Sequence, residues 1–329
     1  MEQTEEKCRD YAVGVQESDR TRERSAVYAI RTLQDMHRLV HQCGRQLRLA
    51  VVCPDDAATQ EALDLVEQSR LAQVIRISDP LAERAAQKAV ALVRRGDADV
   101  LMKGLIGTDV LLRAILNKVS GLLPEGHVLT HLSVAEIPAY SKLLFFTDAA
   151  VIPYPTRLQR IAQVRYAVRV CHALGIREPR VVLIHCAEHG GRQFPFVDDY
   201  PEICQMAASG AFGRCIADGP LDVKSACSPA ALRAKGISSP VEGEADVLIM
   251  PDIEAGNAFY KSMTLFARAR TAGMLCGAQC PVVVPSRGDS AEAKFDSIAF
   301  ALAAAMESRH TREGEAGSTE KTGNTESGN

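Results

Sequence analysis

Short apolar runs rich in β-branched residues alternate with helix-like segments along most of this 329-residue chain. The run at 47–53 ends in Pro54-Asp55-Asp56, a pattern typical of a strand end followed by a helix N-cap. Further strands are predicted at 73–77, 98–102, 128–136, 143–146, 181–186, 215–217, 247–250, 274–276 and 282–284. Helices are predicted at 57–69, 80–94, 109–119, 156–174, 254–272 and 291–305. Such alternation predicts an α/β fold with a largely parallel sheet.

The composition is that of an ordinary soluble protein, with 47% hydrophobic and 24% charged residues. The net charge of −3 argues against nucleic acid or an anionic membrane as the main partner, because both select a basic surface. The polar N-terminus has no apolar segment typical of a secretory signal, and no apolar run approaches the ~20 residues of a membrane span. We therefore expect a cytoplasmic protein.

Ten cysteines are spread along the chain without a CxxC pair. Cys53, Cys171, Cys186 and Cys276 lie inside apolar runs, so we interpret the cysteines as small core residues in a reducing compartment. The run at 185–189 (HCAEH) contains metal-ligating residue types, but a strand there would point its first two side chains to opposite faces. The sequence therefore predicts no metal site.

Two internal segments resemble each other, namely 96–102 (GDADVLM) and 243–249 (GEADVLI). In both, a glycine ends a helix and an apolar run enters a sheet. This similarity predicts two α/β domains of similar build, with chance convergence on a common local solution as the alternative. The expected segments are a flexible N-terminus at 1–24, a first domain at 25–152 and 277–307, a second domain at 153–276, and a disordered tail at 308–329.

Polar and small residues follow the predicted strands, which is where open α/β sheets bind their ligands. They include Lys103 with Thr108, Thr130-His131 and Asp148, a composition suited to phosphate and amide groups. Neither GxGxxG nor GxxxxGK[ST] occurs, which argues against a dinucleotide loop and a P-loop. Lys103 as a solvated strand-end charge and His131 as a satisfied core histidine are the alternatives.

The segment at 284–290 (VPSRGDS) joins a strand to the last predicted helix. Helix N-termini present free N–H groups and positive potential, which suit a phosphate, and Arg287 can bind one bidentately. Two alternatives remain open at this point. Asp289 or Ser290 can simply be the helix N-cap, and Arg287 with Asp289 can be a surface ion pair.

The segment at 251–257 (PDIEAGN), followed by Tyr260 and Lys261, is a second strand-to-helix junction. Its acidic and amide residues can be helix caps alone. Gly256 and Asn257 weaken a first helical turn, which fits the close approach of a ligand. Lys261 follows Asn257 by one turn, so both side chains can face the same side.

Together these segments resemble the phosphate acetyl/butyryltransferase family, and most closely its phosphate butyryltransferase branch. The resemblance covers roughly residues 45–307, and the shared order of its two longest runs makes it specific. The matched residues are 98–104 with Thr108, Thr130-His131, 147–150, 219–221, 245–257 with Tyr260-Lys261, and 281–290 with Lys294.

The resemblance implies reversible transfer of a short acyl group, butyryl or branched, between acyl-CoA and inorganic phosphate to give acyl phosphate and CoA. It implies a two-domain, three-layer α/β/α fold of the isocitrate/isopropylmalate dehydrogenase-like type, with the active site in the interdomain cleft. It also implies a homo-oligomer, a dimer or a multiple of dimers, that uses CoA as a substrate and needs no metal, nicotinamide or other permanent cofactor. An acetyl-specific enzyme and a non-catalytic paralogue that binds CoA or acyl phosphate are the alternatives.

At the matched positions, the resemblance implies that Ser286 orients the thiol or the acyl oxygen and that Arg287 holds phosphate. Acetyl-type members carry an Asp base about seven residues after the Ser, where this chain has Ala293. The base is then Asp289 first and Glu292 second, unless Arg287 stabilises the thiolate without a dedicated base. The implied substrate contacts are Lys103, Thr108, Thr130, His131, Asp148, Asn257, Tyr260, Lys261 and Ser290.

A further departure from the family is Lys224, where the usual Gly-Pro-Leu-x-x-Asp pattern places an Asp. Asp222 lies close by but would face another way on a helix. No cysteine lies in the matched motifs, so we expect direct transfer between bound substrates rather than an acyl-cysteine.

Overall fold

The computed structural model describes residues 30–306. The segments predicted to be flexible at 1–24 and disordered at 308–329 lie outside the described residues. The described strands are β1 (Arg48–Val52), β2 (Gln73–Ile77), β3 (Val100–Lys103), β4 (Thr130–Glu136), β5 (Leu144–Thr147), β6 (Arg180–Ile184), β7 (Ile216–Leu221), β8 (Val247–Ile249), β9 (Arg270–Cys276) and β10 (Val282–Val283). The described helices are α1 (Leu33–Gln42), α2 (Ala57–Gln68), α3 (Ala82–Arg94), α4 (Thr108–Ile115), α5 (Arg157–Ala173), α6 (Tyr200–Ala208), α7 (Val223–Cys227), α8 (Pro229–Ala234), α9 (Ile253–Leu265) and α10 (Ala291–Ala305), with a short 3₁₀ helix at Pro195–Asp199.

The strands form one continuous sheet in the order β2-β1-β3-β10-β9-β4-β5-β8-β6-β7. Strands β2, β1, β3 and β10 form one parallel block, and β5, β8, β6 and β7 form a second. The three pairings between the blocks are antiparallel. The sheet is therefore largely parallel, as predicted, but its two parallel blocks run in opposite directions.

Helices cover both faces of the sheet and make three layers. On one face α1, α2, α5, α6 and α10 pack together on the strands. On the other face α3 and α4 cover the first block, and the short helices α7 and α8 cover the second. Because both faces are covered, most strands read as unbroken apolar runs. Helix α10 is buried along nearly its whole length, which fixes the turn that precedes it.

The two segments that resemble each other in sequence have the same local structure. Gly96 and Gly243 both take a positive φ, 78° and 73°, at the point where the chain turns into β3 and β8. Asp99 accepts a hydrogen bond from the first backbone N–H of the adjacent strand β1 (2.9 Å), and Asp246 does the same with β6 (2.8 Å). Each parallel block contains one such entry, and the division into two domains at the stated boundaries stays a prediction.

The helix predicted at 254–272 is too long. Helix α9 ends at Leu265, and Arg268, with a φ of 51°, turns the chain before β9 begins at Arg270. Strand β9 pairs with β4 over seven residues, and this tertiary pairing overrides the local helical spacing. Helices α1, α6, α7 and α8 are absent from the prediction. Cys186 is exposed rather than buried in a strand, because β6 ends at Ile184.

Candidate active site

The segment at 284–290, called here the Ser286 turn, connects β10 to α10. Ser290 is the N-cap of α10, and its hydroxyl accepts from the Ala293 N–H at 3.2 Å. Asp289 does not cap the helix; its Oδ2 accepts from the Ser286 N–H at 2.7 Å and closes the turn. Ser286 and Arg287 are exposed, and Arg287 and Asp289 form no ion pair in the described part of the chain. The turn therefore presents a hydroxyl and a guanidinium to solvent.

A pocket beside the Ser286 turn, the basic pocket, contains three cationic side chains, Lys103, Arg287 and Lys294. The ammonium group of Lys294 is buried and donates to Asp56 Oδ1 at 2.7 Å and to Thr59 Oγ1 at 3.0 Å. Partial burial raises the pKa of Asp56, but the hydrogen bonds to Lys294 and Thr59 outweigh this effect and lower the pKa to about 2. With one carboxylate against three cations, the pocket has an excess of positive charge.

Lys103 lies at the end of β3 and is only 5% exposed. Its ammonium group makes two long hydrogen bonds, to the carbonyl oxygens of Gly104 (3.3 Å) and Ile106 (3.4 Å). Burial lowers the pKa of Lys103, and the nearby charges of Arg287 and Lys294 lower it further. A bound anion would relieve both effects, so the pocket favours a phosphate-like ligand.

A second hollow beside the turn, the Ser286 cleft, collects residues from both parallel blocks and from the antiparallel centre. It is lined by His131, Ala149, Ala150, Asn257, Tyr260, Lys261, Thr271, Ala272, Gly273, Val284, Pro285, Ser286, Asp289, Ala293 and Ser297. Pro285 and Ser286 line both the cleft and the basic pocket. The structure thus brings Ser286, Asp289, His131, Asn257 and Tyr260 to one hollow, although they are far apart in sequence.

Asp148 and Thr130 are placed differently from the other predicted contacts. Asp148 is 2% exposed, and neither residue lines the cleft. The Asp148 carboxylate accepts from Thr130 Oγ1 (2.7 Å) and from the N–H groups of His131 (3.1 Å), Ala150 (2.7 Å), Val151 (2.8 Å) and Ile152 (3.2 Å). These bonds position the start of β4 and the two alanines that line the cleft.

The close approach predicted at Gly256 is made by protein rather than by a ligand. A Cβ on Gly256 would collide with the Asp148 carbonyl oxygen, so only glycine lets α9 pack against this segment. Asn257 then donates from Nδ2 to the Ala149 carbonyl oxygen at 3.1 Å. The Lys261 ammonium lies 5.0 Å from the centre of the Tyr260 ring. Thr108 is exposed at the start of α4 and lines neither the cleft nor the basic pocket.

Asp56, Thr59 and Gly273 are among the residues of this region that were not identified as site residues from the sequence. Asp56 and Thr59 belong to the N-terminal turn of α2, and only the fold brings them to Lys294. Gly273 falls between the helix predicted at 254–272 and the strand predicted at 274–276, whereas the structure places it inside β9. A glycine inside a strand is a signal for close approach of another group, but the wrong helix assignment concealed it.

A sequence model of the phosphate acetyl/butaryl transferase family matches residues 41–302. This chain belongs to that family. A phosphate butyryltransferase from Clostridium acetobutylicum is 40% identical over 225 residues, which cover 68% of this chain and 74% of the relative. A phosphate acetyltransferase from Thermotoga maritima is 36% identical over 247 residues, covering 75% of this chain and 83% of the relative.

The solved structures agree with this family membership. The crystal structure of a branched-chain phosphotransacylase from Enterococcus faecalis V583 matches with a TM-score of 0.71 and 29% identity, covering 79% of this chain and 99% of that chain. The α/β fold and the resemblance to phosphate acyltransferases predicted from the sequence are confirmed.

Two departures from the phosphate acetyl/butaryl transferase pattern can now be located. Ala293 lines the Ser286 cleft one helical turn after Asp289, whereas Glu292 is exposed and is not among the lining residues. Lys224 is exposed on α7. Asp222 is the N-cap of that helix and accepts from the Ser225 N–H at 2.8 Å, so its carboxylate is used in capping.

None of the described cysteines lines the cleft or the basic pocket. Burial raises the pKa of the Cys276 thiol to about 12, so this thiol stays protonated.

Within residues 30–306, no group of three or more His, Cys, Asp or Glu side chains is arranged to hold a metal ion. No helix in the same range combines the length and apolar character needed to cross a bilayer.

Proposed function

We propose that this chain transfers a short acyl group between CoA and inorganic phosphate, with phosphate in the basic pocket and the reacting thiol and acyl group in the Ser286 cleft. The observation that carries the proposal is that Pro285 and Ser286 line both sites. An acyl phosphate bound at this turn would place its anionic end in the basic pocket and its acyl end in the Ser286 cleft.

The phosphate role is assigned to Arg287, with Lys103 and Lys294 as supporting charges. Arg287 is exposed on the turn, where its planar guanidinium can form two parallel bonds to a phosphate. Lys294 is already paired with Asp56, so its position is fixed before phosphate arrives. Fixed cations in a partly dry pocket stabilise a leaving phosphate without reorganising during the reaction.

The thiol is assigned to the cleft, with Ser286 as the residue that orients it or the acyl oxygen. Asp289 is the first candidate for the base that takes the thiol proton in the CoA-acylating direction, since it lines the cleft. Glu292, the second candidate, is exposed outside the lining. Transfer is direct between two bound substrates, in keeping with the cysteine-free lining.

A butyryl or branched acyl group is supported by the size of the lining side chains. Four of them are alanine, namely Ala149, Ala150, Ala272 and Ala293. Such small residues leave room beside the reacting carbon for an alkyl chain of a few carbons. Ala293 adds space where acetyl-type members carry an Asp.

The test is phosphate-dependent release of CoA from acetyl-, propionyl-, butyryl- and isobutyryl-CoA. We expect turnover of all four acyl-CoA substrates, with the highest rates for butyryl- or isobutyryl-CoA. The initial-rate plots should intersect. A preference for acetyl-CoA would favour the acetyl-specific alternative. Binding of CoA without turnover of any acyl-CoA would favour the non-catalytic paralogue. The expected homo-oligomer and cytoplasmic location stay predictions.

A further inference from the structure

His131 lies at the start of β4, and its imidazole ring lines the same cleft as Ser286 and Asp289. Its backbone N–H is held by Asp148 Oδ2 at 3.1 Å, so the ring starts from a fixed point in the sheet. His131 is the histidine among the residues that line the cleft, and its imidazole group can donate or accept a proton near neutral pH. Its role follows from which ring nitrogen carries the proton.

The Ser133 hydroxyl decides the tautomer. Ser133 is fully buried, and its Oγ lies 3.2 Å from His131 Nδ1, which is the hydrogen-bond partner that the described structure gives this hydroxyl. A buried O–H must donate to an acceptor, because an unmade bond costs about 1–3 kcal/mol. Ser133 therefore donates and Nδ1 accepts, which leaves the proton of the neutral ring on Nε2.

Gly273 leaves room for the His131 ring. A Cβ at position 273 would lie 2.8 Å from His131 Nε2 and 2.9 Å from Cε1, so any larger residue would displace the ring. Glycine inside a strand weakens it, and its presence in β9 marks a close approach. Gly273 and His131 both line the cleft, so the ring that packs against Gly273 lies at the cleft wall.

The surroundings keep the ring uncharged. Burial lowers the pKa of His131, and the carboxylates of Asp148 and Asp289 oppose that shift without reversing it. Lys261 and Tyr260 also face the cleft from α9. A neutral imidazole with its proton on Nε2 can donate a hydrogen bond but is not an acid that gives its proton away at neutral pH.

We propose that His131 donates its Nε2–H to the carbonyl oxygen of the transferred acyl group and stabilises the oxyanion that forms there. The inference rests on the proposed function. The CoA thiol gives its proton to the base, which is Asp289 in the proposed function, and its sulfur forms a bond to the acyl carbon. The carbonyl π electrons move to the oxygen that faces Nε2–H. The oxygen then restores the double bond, and the bond from carbon to the phosphate oxygen breaks with its electron pair leaving on phosphate. His131 neither gains nor loses a proton in either direction.

The first experiment compares His131→Ala, His131→Gln and the matched control His172→Gln in both reaction directions. His172 lies on α5, where its Nε2 faces the Arg214 carbonyl oxygen, away from the cleft. We expect His131→Ala to lower kcat by about 10²–10³-fold in both directions, as for loss of one oxyanion donor. The Gln amide can still donate, so His131→Gln should recover part of this loss, and His172→Gln should match the unaltered chain.

The pH dependence separates a donor from a base. For a donor, the ratio of unaltered to His131→Ala kcat stays flat from neutral to alkaline pH. A base would give a ratio that shrinks as the thiol ionises without help. A shrinking ratio, or full activity of His131→Ala, would overturn the inference while leaving the acyltransferase proposal intact. An unaltered chain that releases no CoA would instead overturn the proposed function.

A measurement on the unaltered chain does not depend on whether a variant folds. Nitrogen-15 NMR of labelled histidine reports the tautomer of each ring. The signals of His131 are assigned as those that disappear in the His131→Gln variant. We expect a neutral ring with its proton on Nε2 at neutral pH. A proton on Nδ1, or a charged ring, would contradict the proposal. Ser133→Ala should weaken the preference for the Nε2 tautomer and lower kcat with little change in the phosphate KM.

Discussion

The Ser286 turn after β10 and the segment at 147–152 after β5, called here the Asp148 turn, both carry predicted site residues but use them differently. The Ser286 turn is largely exposed. Its Asp289 carboxylate accepts from the Ser286 N–H within the turn, and its Ser290 hydroxyl accepts from the Ala293 N–H of α10. In the Asp148 turn, the carboxylate is buried and accepts from five protein donors.

This difference separates residues that bind substrate from residues that position others. A polar group whose bonds are filled inside the protein has little left for a ligand, whereas removing it leaves several buried donors unpaired. An exposed guanidinium, in contrast, can bind a ligand, and its removal leaves no buried donor or acceptor unpaired. Substitutions in the Ser286 turn should therefore change kinetics with little change in stability, and those in the Asp148 turn should do the reverse.

The largest effect is expected at Arg287. Arg287→Ala should raise the phosphate KM and lower kcat, with a combined loss of about 10²–10³-fold in kcat/KM. The reason is that the positive charge that holds the transferred phosphate is removed. Arg287→Lys should recover little of this, since an ammonium lacks the planar fork. The free energy of unfolding should barely change, because the side chain is exposed. Near-normal phosphate kinetics in Arg287→Ala would remove it from the site.

The next effect is on stability and concerns Asp148. Asp148→Ala leaves four backbone N–H groups and the Thr130 hydroxyl without their acceptor, so we expect a loss of about 3 kcal/mol in the free energy of unfolding. Urea denaturation measures it. Asp109→Ala is the matched control, since Asp109 is exposed and pairs only with the exposed Arg113 among the described residues. Equal stability of the two variants would mean that the Asp148 turn does not depend on its carboxylate.

The same contrast explains what the sequence could and could not predict. The Ser286 turn was identified because small and charged residues stand directly between a strand and a helix. Asp148 and Thr130 resemble ligand contacts in the sequence for the same reason, since a sequence does not reveal whether a carboxylate finds its partners inside the protein. The pairing of Asp56 with Lys294 joins residues 238 positions apart and depends entirely on the packing of α2 against α10.

A smaller effect, near 10²-fold at neutral pH, is expected in the CoA-acylating direction for Asp289→Asn. Because Ser290 caps the helix and an Asn oxygen can still accept from the Ser286 N–H, the turn should keep its shape while the base is lost. The loss should shrink as pH approaches the thiol pKa, with CoA affinity nearly constant. Nearly full activity at neutral pH would mean that Asp289 only closes the turn and would direct the search to Glu292 or to a thiolate held by Arg287.

The smallest effect is a pH dependence of phosphate binding that originates at Lys103. Burial, together with the charges of Arg287 and Lys294, lowers the pKa of Lys103 below its usual 10.5, although Asp56 and Asp289 oppose the shift. The charged ammonium binds phosphate, so affinity is present below the lowered pKa and is lost as pH rises through it. The phosphate KM should therefore rise a few-fold on the alkaline side, where the charge of inorganic phosphate no longer changes.

Lys103→Met isolates this contribution, because it removes the titrating group without adding a charge. Its phosphate KM should be raised already at neutral pH and should stay flat where that of the unaltered chain climbs. Lys118→Met, at an exposed position on the loop after α4, is the matched control and should keep the alkaline rise. If Lys103→Met showed the same alkaline rise, the titrating group would lie elsewhere. The positive charge of the basic pocket would then come from Arg287 and Lys294. Lys103 would be a positioning residue at the end of β3, as Asp148 is in the Asp148 turn.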